Sequence, residues 1–341
     1  MDRGRIKRRT EEVWSLVLRE ASIDLYDVLS LVLITHLSIG QIAGNGRLAT
    51  VQYSVRQSRW RKGGLSAIMT LYDRIGYDAG GTRLEDALAW AAAKAFHYVD
   101  FNADRGPNRL GSWSEERVGA LRETCARYDI HLGLHTASAV NVAEFSPYVS
   151  EAVDAYLRAN IDCARQLGCE WLVVHGGYHF SSDLQARQTA SLERLQRVVA
   201  YAESVGARLL LENLNFEPDD AEIHYLAHTI DECRYYFDAI ASAHFGWAFT
   251  VNHANLVPEG IDGFIDAFGS HRMGEVRLAD NLGDKEVHLR PGEGNIDFPS
   301  LFTRLESAGY QGHYMMAFGD KADKLEARDF FATCLSTGSG C

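Results

Sequence analysis

The stretch EVRLADNLGDKEVHLRPGEGNIDF, Glu275 to Phe298, decides how the rest of the chain is read. It opens as a short apolar strand, breaks into a loop carrying Asp280, Asn281, Glu286, His288 and Arg290, and closes on a Gly-Glu-Gly turn leading into a helix. Polar groups gathered at the end of a buried strand, followed by glycines that let the backbone fold sharply, are what the C-terminal face of a β/α barrel needs. One such unit predicts others along the chain.

Working outward, short apolar runs alternate with longer amphipathic ones from Met69 onward, the pattern of repeated βα units and a parallel sheet. Leu71 to Gly76 reads as the first strand, followed by a helix capped at Thr82, and His97 to Asn102 as the second, followed by a helix capped at Ser114. His131 to His135 is the third; the long helix after Pro147 stops at Gly168. Trp171 to His175, Arg208 to Glu212 and Trp247 to Asn252 read as strands four to six, with helices over Leu184 to Val205 and Thr229 to Ser242. Gly274 to Leu278 and His313 to Phe318 complete eight strands, with helices at Phe298 to Ala308 and Lys324 to Leu335. Eight such units match the usual size of a closed (β/α)8 TIM barrel, about 250 residues. An open doubly wound sheet fits less well, because no G-x-G-x-x-G follows the first strand.

In a closed barrel the strand ends converge on one mouth, and here they carry reactive side chains. His135, His175 and Glu212 end strands three, four and five, Asn252 and His253 end strand six, and Asp280, Glu286, His288 and Arg290 follow strand seven. Imidazoles and carboxylates gathered there can bind a divalent metal. Glu212 stands out: a carboxylate directly after three leucines is costly to bury unless it is paired, protonated or metal-bound. Asp100 and Asn102, ending strand two, are expected to line the mouth and bind substrate, with Asn252, Asp280 and Arg290. His179, His224, His228, His244, His271 and His313 read as structural, and Trp247 as core.

Composition narrows the partners. The net charge of -12 is uneven: Met1 to Ala67 holds eleven Lys and Arg against six acids, leaving 23 basic against 40 acidic residues behind. So acidic a body repels a phosphate backbone, so nucleic acid is not an expected partner. Six cysteines without a C-x-x-C spacing read as reduced thiols of a cytoplasmic protein. The uncharged run from Val28 to Gly46 is interrupted by His36 and Gln41 and falls short of the about 20 apolar residues of a span, so no membrane is expected either. Residues 1–68 read as an N-terminal extension, disordered or not native, with Met69 as the natural start; residues 69–335 form the catalytic barrel and 336–341 a tail. Self-association into a homo-oligomer is left open.

From Met69 to about Phe331 the chain resembles the sugar phosphate isomerase/epimerase group with the xylose isomerase-like barrel, which also includes the endonuclease IV type of DNA repair enzyme. The resemblance is carried most specifically by HLRPGEGNIDFPSLFTRLESAGYQG, His288 to Gly312, similar to that family's H-x-x-x-G-x-G-x-(I/V)-D-(F/W) loop and G-Y-x-G turn. VVHGG (Val173 to Gly177), LLEN (Leu210 to Asn213) and HAN (His253 to Asn255) look like its fourth, fifth and sixth strand signatures.

The resemblance implies a central divalent metal held by acids on strands five, six and eight and a His on strand seven. Glu212 stands at the first position, but Thr250, Arg277 and Ala317 stand at the others. Thr and Ala supply no anionic ligand, and a guanidinium repels a cation. Two further ligand groups resembling the three-metal repair enzymes remain: His135, His175 and Glu212, and His253, Glu286 and His288. A divalent metal (Mn, Zn, Mg or Co) is therefore expected off centre, with Arg277 in the central place as a fixed cation or anion-binding group.

The resulting expectation is a sugar isomerase/epimerase-like enzyme acting on a small hydroxylated, carbohydrate-like substrate by proton abstraction next to a carbonyl, with a related elimination also open. Glu212, His175, Arg277 and His253 are its expected catalytic residues. A catalytically degenerate barrel that binds a ligand or partner is the alternative. Endonuclease IV-like phosphodiester cleavage is disfavoured by the acidic body and the missing central ligands.

Overall fold

Eight parallel strands close into a barrel in this computed structural model, which describes residues 70–335 apart from Ser181. The readings placed on residues 1–68 and on the tail lie outside the described residues. The barrel strands are β1 Ile75–Asp78, β2 Tyr98–Phe101, β3 His131–His135, β4 Trp171–Val174, β5 Leu209–Glu212, β6 Phe245–Thr250, β7 Met273–Leu278 and β8 His313–Met316. Each pairs in parallel with its neighbours in chain order, and β1 closes on β8 through Ile75–Tyr314, Gly76–Met315 and Tyr77–Met316. Around them lie α1 Leu84–Lys94, α2 Glu115–Tyr128, α3 Pro147–Leu167, α4 Leu184–Val205, α5 Ile230–Ala239, α6 Gly260–Phe268, α7 Phe298–Ser307 and α8 Lys321–Thr333. The expected (β/α)8 architecture is what the chain adopts.

Local chemistry sets the ends of these elements. Ser114 Oγ accepts Arg117 N at 3.2 Å to cap α2, and Thr229 Oγ1 accepts Glu232 N at 3.2 Å to cap α5. Gly168 and Gly206 end α3 and α4 in the left-handed conformation, at φ 80° and 70°. Three expectations shift. The first strand begins four residues late, because Thr70 and Asp73 form a capping box that winds Leu71–Arg74 into a helical turn. The sixth strand ends at Thr250, and Val251–Ala254 is a helical turn that carries Asn252 and His253. Helix α6, between β6 and β7, was not among the expected helices.

The period of two along each strand builds the site. Tyr98, Trp171, Val173, Leu210, Ala248 and Met315 cluster inside the barrel, apart from the larger core between strands and helices. Two residues further along the same strands come Asp100, His175, Glu212, Thr250 and Ala317, on the same inward face and one layer nearer the mouth. Close approach makes room for the large interior side chains: a Cβ on Gly133 would stand 2.1 Å from the Trp171 ring, and one on Gly274 2.3 Å from Leu210 Cδ2. At the opposite end Tyr98 stacks between His131 and His313, with ring centroids 4.9 and 4.5 Å away. Over the mouth, Tyr178–His179 pairs antiparallel with His224–Tyr225 in a short ribbon between the loops after β4 and β5. No described helix is long and apolar enough to cross a membrane.

Candidate active site

A cavity of about 420 Å³ opens at the C-terminal ends of the strands, lined among others by Asp78, His135, His175, Glu212, Arg277, Glu286 and His288. Its polar groups fall into three sets.

The first set is His135, His175 and Glu212. His135 Nε2 lies 3.0 Å from His175 Nε2, and Glu212 Oε2 lies 3.3 and 3.1 Å from the two. Thr136 Oγ1 gives its proton to Val173 O at 2.9 Å, so toward His175 Nδ1, 3.4 Å away, it accepts. His175 Nε2 thus faces Glu212 Oε2 as a hydrogen-bond donor when it carries the proton, and offers a free lone pair when the proton sits on Nδ1 toward Thr136. One proton can bridge two of the three converging atoms but not all three. A divalent cation satisfies all of them, with ligands at about 2.0–2.2 Å. Burial pushes the Glu212 carboxyl up, but the hydrogen bonds of His135 and His175 outweigh it and hold it well below the carboxylate range. The other oxygen, Oε1, accepts the Thr250 hydroxyl at 2.6 Å.

The second set is His253, Glu286 and His288. His253 Nδ1 lies 2.8 Å from Asn213 O, and His288 Nδ1 bonds Ala317 O. A carbonyl only accepts, so both rings carry a proton on Nδ1, and Nε2 faces Glu286 Oε1, 3.2 and 2.7 Å away, as a donor in the imidazolium form and as a lone pair available to a cation in the neutral form. Two imidazoles locked by backbone carbonyls and aimed at one carboxylate oxygen form the donor set of a transition-metal site with its outer hydrogen bonds in place. Asn252 Nδ2 donates to the same Glu286 oxygen at 3.2 Å. Burial works to raise Glu286, but His253 and His288 bring it down to about 2.

Arg277 is the third element. Its guanidinium is 3 % exposed and bonds Asp100 and Glu275 through Nη1 and Asp78 Oδ2, 2.7 Å away, through Nη2. Glu212 Oε1 is 3.8 Å from Nε. Burial opposes this charge, but Glu275, Asp100 and Asp78 hold it well above the ordinary arginine value. Both Nη1 protons are spent inside the protein, leaving Nε–H and one Nη2–H.

The remaining expected residues sit elsewhere. Asp100 is fully enclosed and serves Arg277 instead of lining the cavity, and burial together with Glu275 beside it raises its carboxyl well above the usual range. Asn102 lies outside the cavity lining, its backbone N–H on Gly80 O at 3.1 Å. Asp280 accepts the amides of Gly292, Gly294 and Ile296 at 2.9, 3.0 and 3.1 Å and so folds the glycine turn. Arg290 points outward to Glu293 and Asp323, at 2.6 and 3.1 Å. Asp78 and Glu275 were not anticipated. Asp78 was hidden by a strand placed too early, whereas Glu275 shares the inward face of Arg277 two residues on, a signal the period of two carries.

Known proteins resemble the chain in sequence and in fold. A family model described as xylose isomerase-like TIM barrel matches residues 88–334. An uncharacterised protein of Methanocaldococcus jannaschii is 28 % identical over 206 residues, 58 % of this chain and 68 % of that protein. An L-ribulose 3-epimerase of a Methylomonas species is 24 % identical over 243 residues, 69 % of this chain and 78 % of that enzyme. The solved structure of a D-tagatose 3-epimerase-like protein superposes with a TM-score of 0.68 at 23 % identity, covering 77 % of this chain and 97 % of that one. An L-ribulose 3-epimerase structure gives a TM-score of 0.64 at 18 % identity, over 77 % and 95 % of the two chains. With the family model matching most of the chain and the closed barrel it describes in place, the chain belongs to the xylose isomerase-like TIM barrel family.

Proposed function

We propose that the chain is a divalent-metal-assisted sugar isomerase of the epimerase-like kind, moving a proton next to the carbonyl of a small polyhydroxylated aldehyde or ketone. The observation that carries this reading is one cavity lined by two histidine-carboxylate groups and a buried guanidinium. Its volume, about 420 Å³, falls within the about 300–1,000 Å³ of small-molecule sites. The epimerase names of the relatives and the structural neighbours support the same class.

His135, His175 and Glu212 would hold one ion, and His253, Glu286 and His288 another. When bound, such an ion supplies a Lewis acid that polarises a substrate carbonyl or hydroxyl. Glu212 Oε1, steadied by Thr250, is the base that takes the carbon-bound proton. The Nε–H and remaining Nη2–H of Arg277 face negative charge as it develops on the substrate oxygen. Asn252 holds Glu286 in place. Ala317 has no proton to deliver from the opposite face. Asp78, which burial would raise, is kept anionic by Arg277 and the Gly80 amide. Glu212 therefore both removes and returns the proton on a single face, which favours transfer between neighbouring carbons over inversion at one carbon. A small molecule is the partner this reading requires, and the free thiols of Cys163, Cys169 and Cys233 support a cytoplasmic setting.

Turnover of a panel of aldoses and ketoses in D₂O by the Mn²⁺-loaded protein tests this. Glu212→Gln should lose about 10²–10⁴-fold in kcat while remaining folded, and product from C2-deuterated substrate in H₂O should retain part of the label at C1. Full activity in Glu212→Gln sinks the assignment. The replacement of three central ligands by Thr250, Arg277 and Ala317 favours a second reading, a barrel that binds without turnover. Sugar binding with no conversion by the metal-loaded wild type would select it.

A further inference from the structure

Nine large apolar side chains stand exposed among the described residues, and five of them come from two neighbouring segments at the starts of α3 and α4: Phe145, Tyr148, Val149, Phe180 and Leu184. The loops leading into these helices are tied together, Asn141 bonding the Tyr178 carbonyl and amide at 3.0 and 2.9 Å. Two buried arginines of α4 complete the frame. Arg187 lies 4.6 and 5.9 Å from the centroids of the Phe145 and Phe180 rings and pairs with Glu144 at 3.2 Å. The other Glu144 oxygen accepts the amides of Phe145 and Ser146 at 2.9 and 2.7 Å. Arg194 donates to Val142 O, to Glu144 O at 2.7 Å and to Ser150 Oγ at 2.6 Å. The frame thus fixes these side chains outward, Tyr148 at 90 % exposure. A face ordered in advance loses little freedom when it is covered.

We propose that a second copy of this chain docks on this face, through an isologous two-fold contact. Charge selects that occupant. In 145–152 and the described residues of 180–189, Glu151 is the one exposed charge, since Asp183 and Arg187 pair at 3.0 Å. The chain carries a net charge of -12, so two copies repel one another overall, and an uncharged face is where they meet without that repulsion. Around the apolar side chains stand Ser146, Ser182, Gln185 and Thr189, all exposed. Their hydroxyls and amide both donate and accept, so copies of this rim can bond one another across a two-fold axis, which a ring of like charges cannot. The area fits as well. At about 200 Å² per aromatic side chain, Phe145, Tyr148 and Phe180 leave roughly 350 Å² in water, close to half of the about 800 Å² each partner gives a standard interface. An apolar centre of that size inside a polar rim is the ordinary anatomy of such a contact.

Sedimentation velocity of the full chain, from submicromolar to tens of micromolar, tests this. Wild type should pass from monomer to dimer across that range. Tyr148→Glu sets two carboxylates into the contact and should raise the dissociation constant at least about 30-fold, the loss of a hot-spot side chain. Leu184→Glu, on the other segment, should act in the same direction, and Tyr148→Phe should dimerise like wild type. Tyr148 and Leu184 are exposed, so both charged variants should keep the melting temperature of the monomer. Tyr128→Glu is the control: Tyr128 is also an exposed tyrosine, at the end of α2, and its replacement should leave the dimer intact. A wild type that stays monomeric throughout leaves the face to a different partner and overturns the proposal. So does a dimer that survives both Tyr148→Glu and Leu184→Glu, or one that Tyr128→Glu weakens as much.

Discussion

Replacing Gly133 by alanine tests the packing beneath the mouth. Gly133 sits in β3 between Asp100 of β2 and Trp171 of β4 in register. A methyl group there would stand 2.1 Å from Trp171 Cε2 and 2.2 Å from both Trp171 Nε1 and Asp100 Oδ1. These distances are more than 1 Å short of van der Waals contact, and neither neighbour can retreat. The indole is 4 % exposed and packs against the His313 ring at 4.1 Å, while Asp100 is bound to Arg277. Overpacking costs about 1–3 kcal/mol, and dislodging one partner of a buried ion pair about 3–5. A net loss of about 3–5 kcal/mol, or roughly 6–10 °C in melting temperature at about 2 °C per kcal/mol for a chain of this size, is expected. Gly119→Ala is the control: it lies exposed in α2 with no atom within 4 Å of the added methyl, and should gain about 0.5–1 kcal/mol. Trp171→Phe should recover part of the loss in the Gly133→Ala background, because the smaller ring yields space. A Gly133→Ala protein melting within about 2 °C of wild type, or no recovery in the double variant, refutes the account.

Three further outcomes are expected. Glu85 is held at about 2, chiefly by its hydrogen bonds from Arg117 at 2.7 and 2.9 Å, against a reference value of 4.5. Its folded-state value is depressed, so its stabilisation is full above about pH 4.5 and fades as pH falls toward 2; Glu85→Gln should cost about 1 kcal/mol in urea melts at pH 7 and almost nothing near pH 2. His131 is raised by its hydrogen bond to Glu170, so the half-exposed pair stabilises fully below pH 6.5 and stops doing so as pH rises through the folded-state value. Glu170→Gln should therefore lose about 0.2–1 kcal/mol at pH 5.5 and nothing at pH 9. Asp280→Ala frees three amides of the 292–296 turn, and hydrogen exchange there should quicken at least tenfold while β1 to β6 keep their protection.

The barrel was legible because its units repeat: apolar strands bounded by caps and glycines leave few alternatives. The gathering of His135, His175, Glu212 and His253 was legible from strand ends that closure of the barrel brings together, whereas their sorting into two histidine groups, with Glu286 and His288 from the loop after the seventh strand, came from the family resemblance. Lateral pairing was harder to read. Asp100 sits at a strand end like the others, but its side chain bonds Arg277 of β7, a contact between residues 177 apart. Arg290 and Asp280 share one loop, yet the glycine turn sends one outward to Asp323 and folds the other beneath the backbone amides. The sixth strand shows the local limit: Val251 and Asn252 suit a strand by composition, but the chain turns helical after Thr250 and His253 reaches back to Asn213 O.

The charge clamp around Arg277 also has a history in time. Asp78 and Asp100 belong to the first two strands, and the arginine that neutralises them lies 199 and 177 residues further along. At about 5–20 residues per second a ribosome spends roughly 10–40 s between delivering the acids and delivering their partner. Throughout that interval the two carboxylates lack the guanidinium that they bond in the folded barrel. A truncated chain ending before β7 therefore lacks the guanidinium that Asp78 and Asp100 bury against.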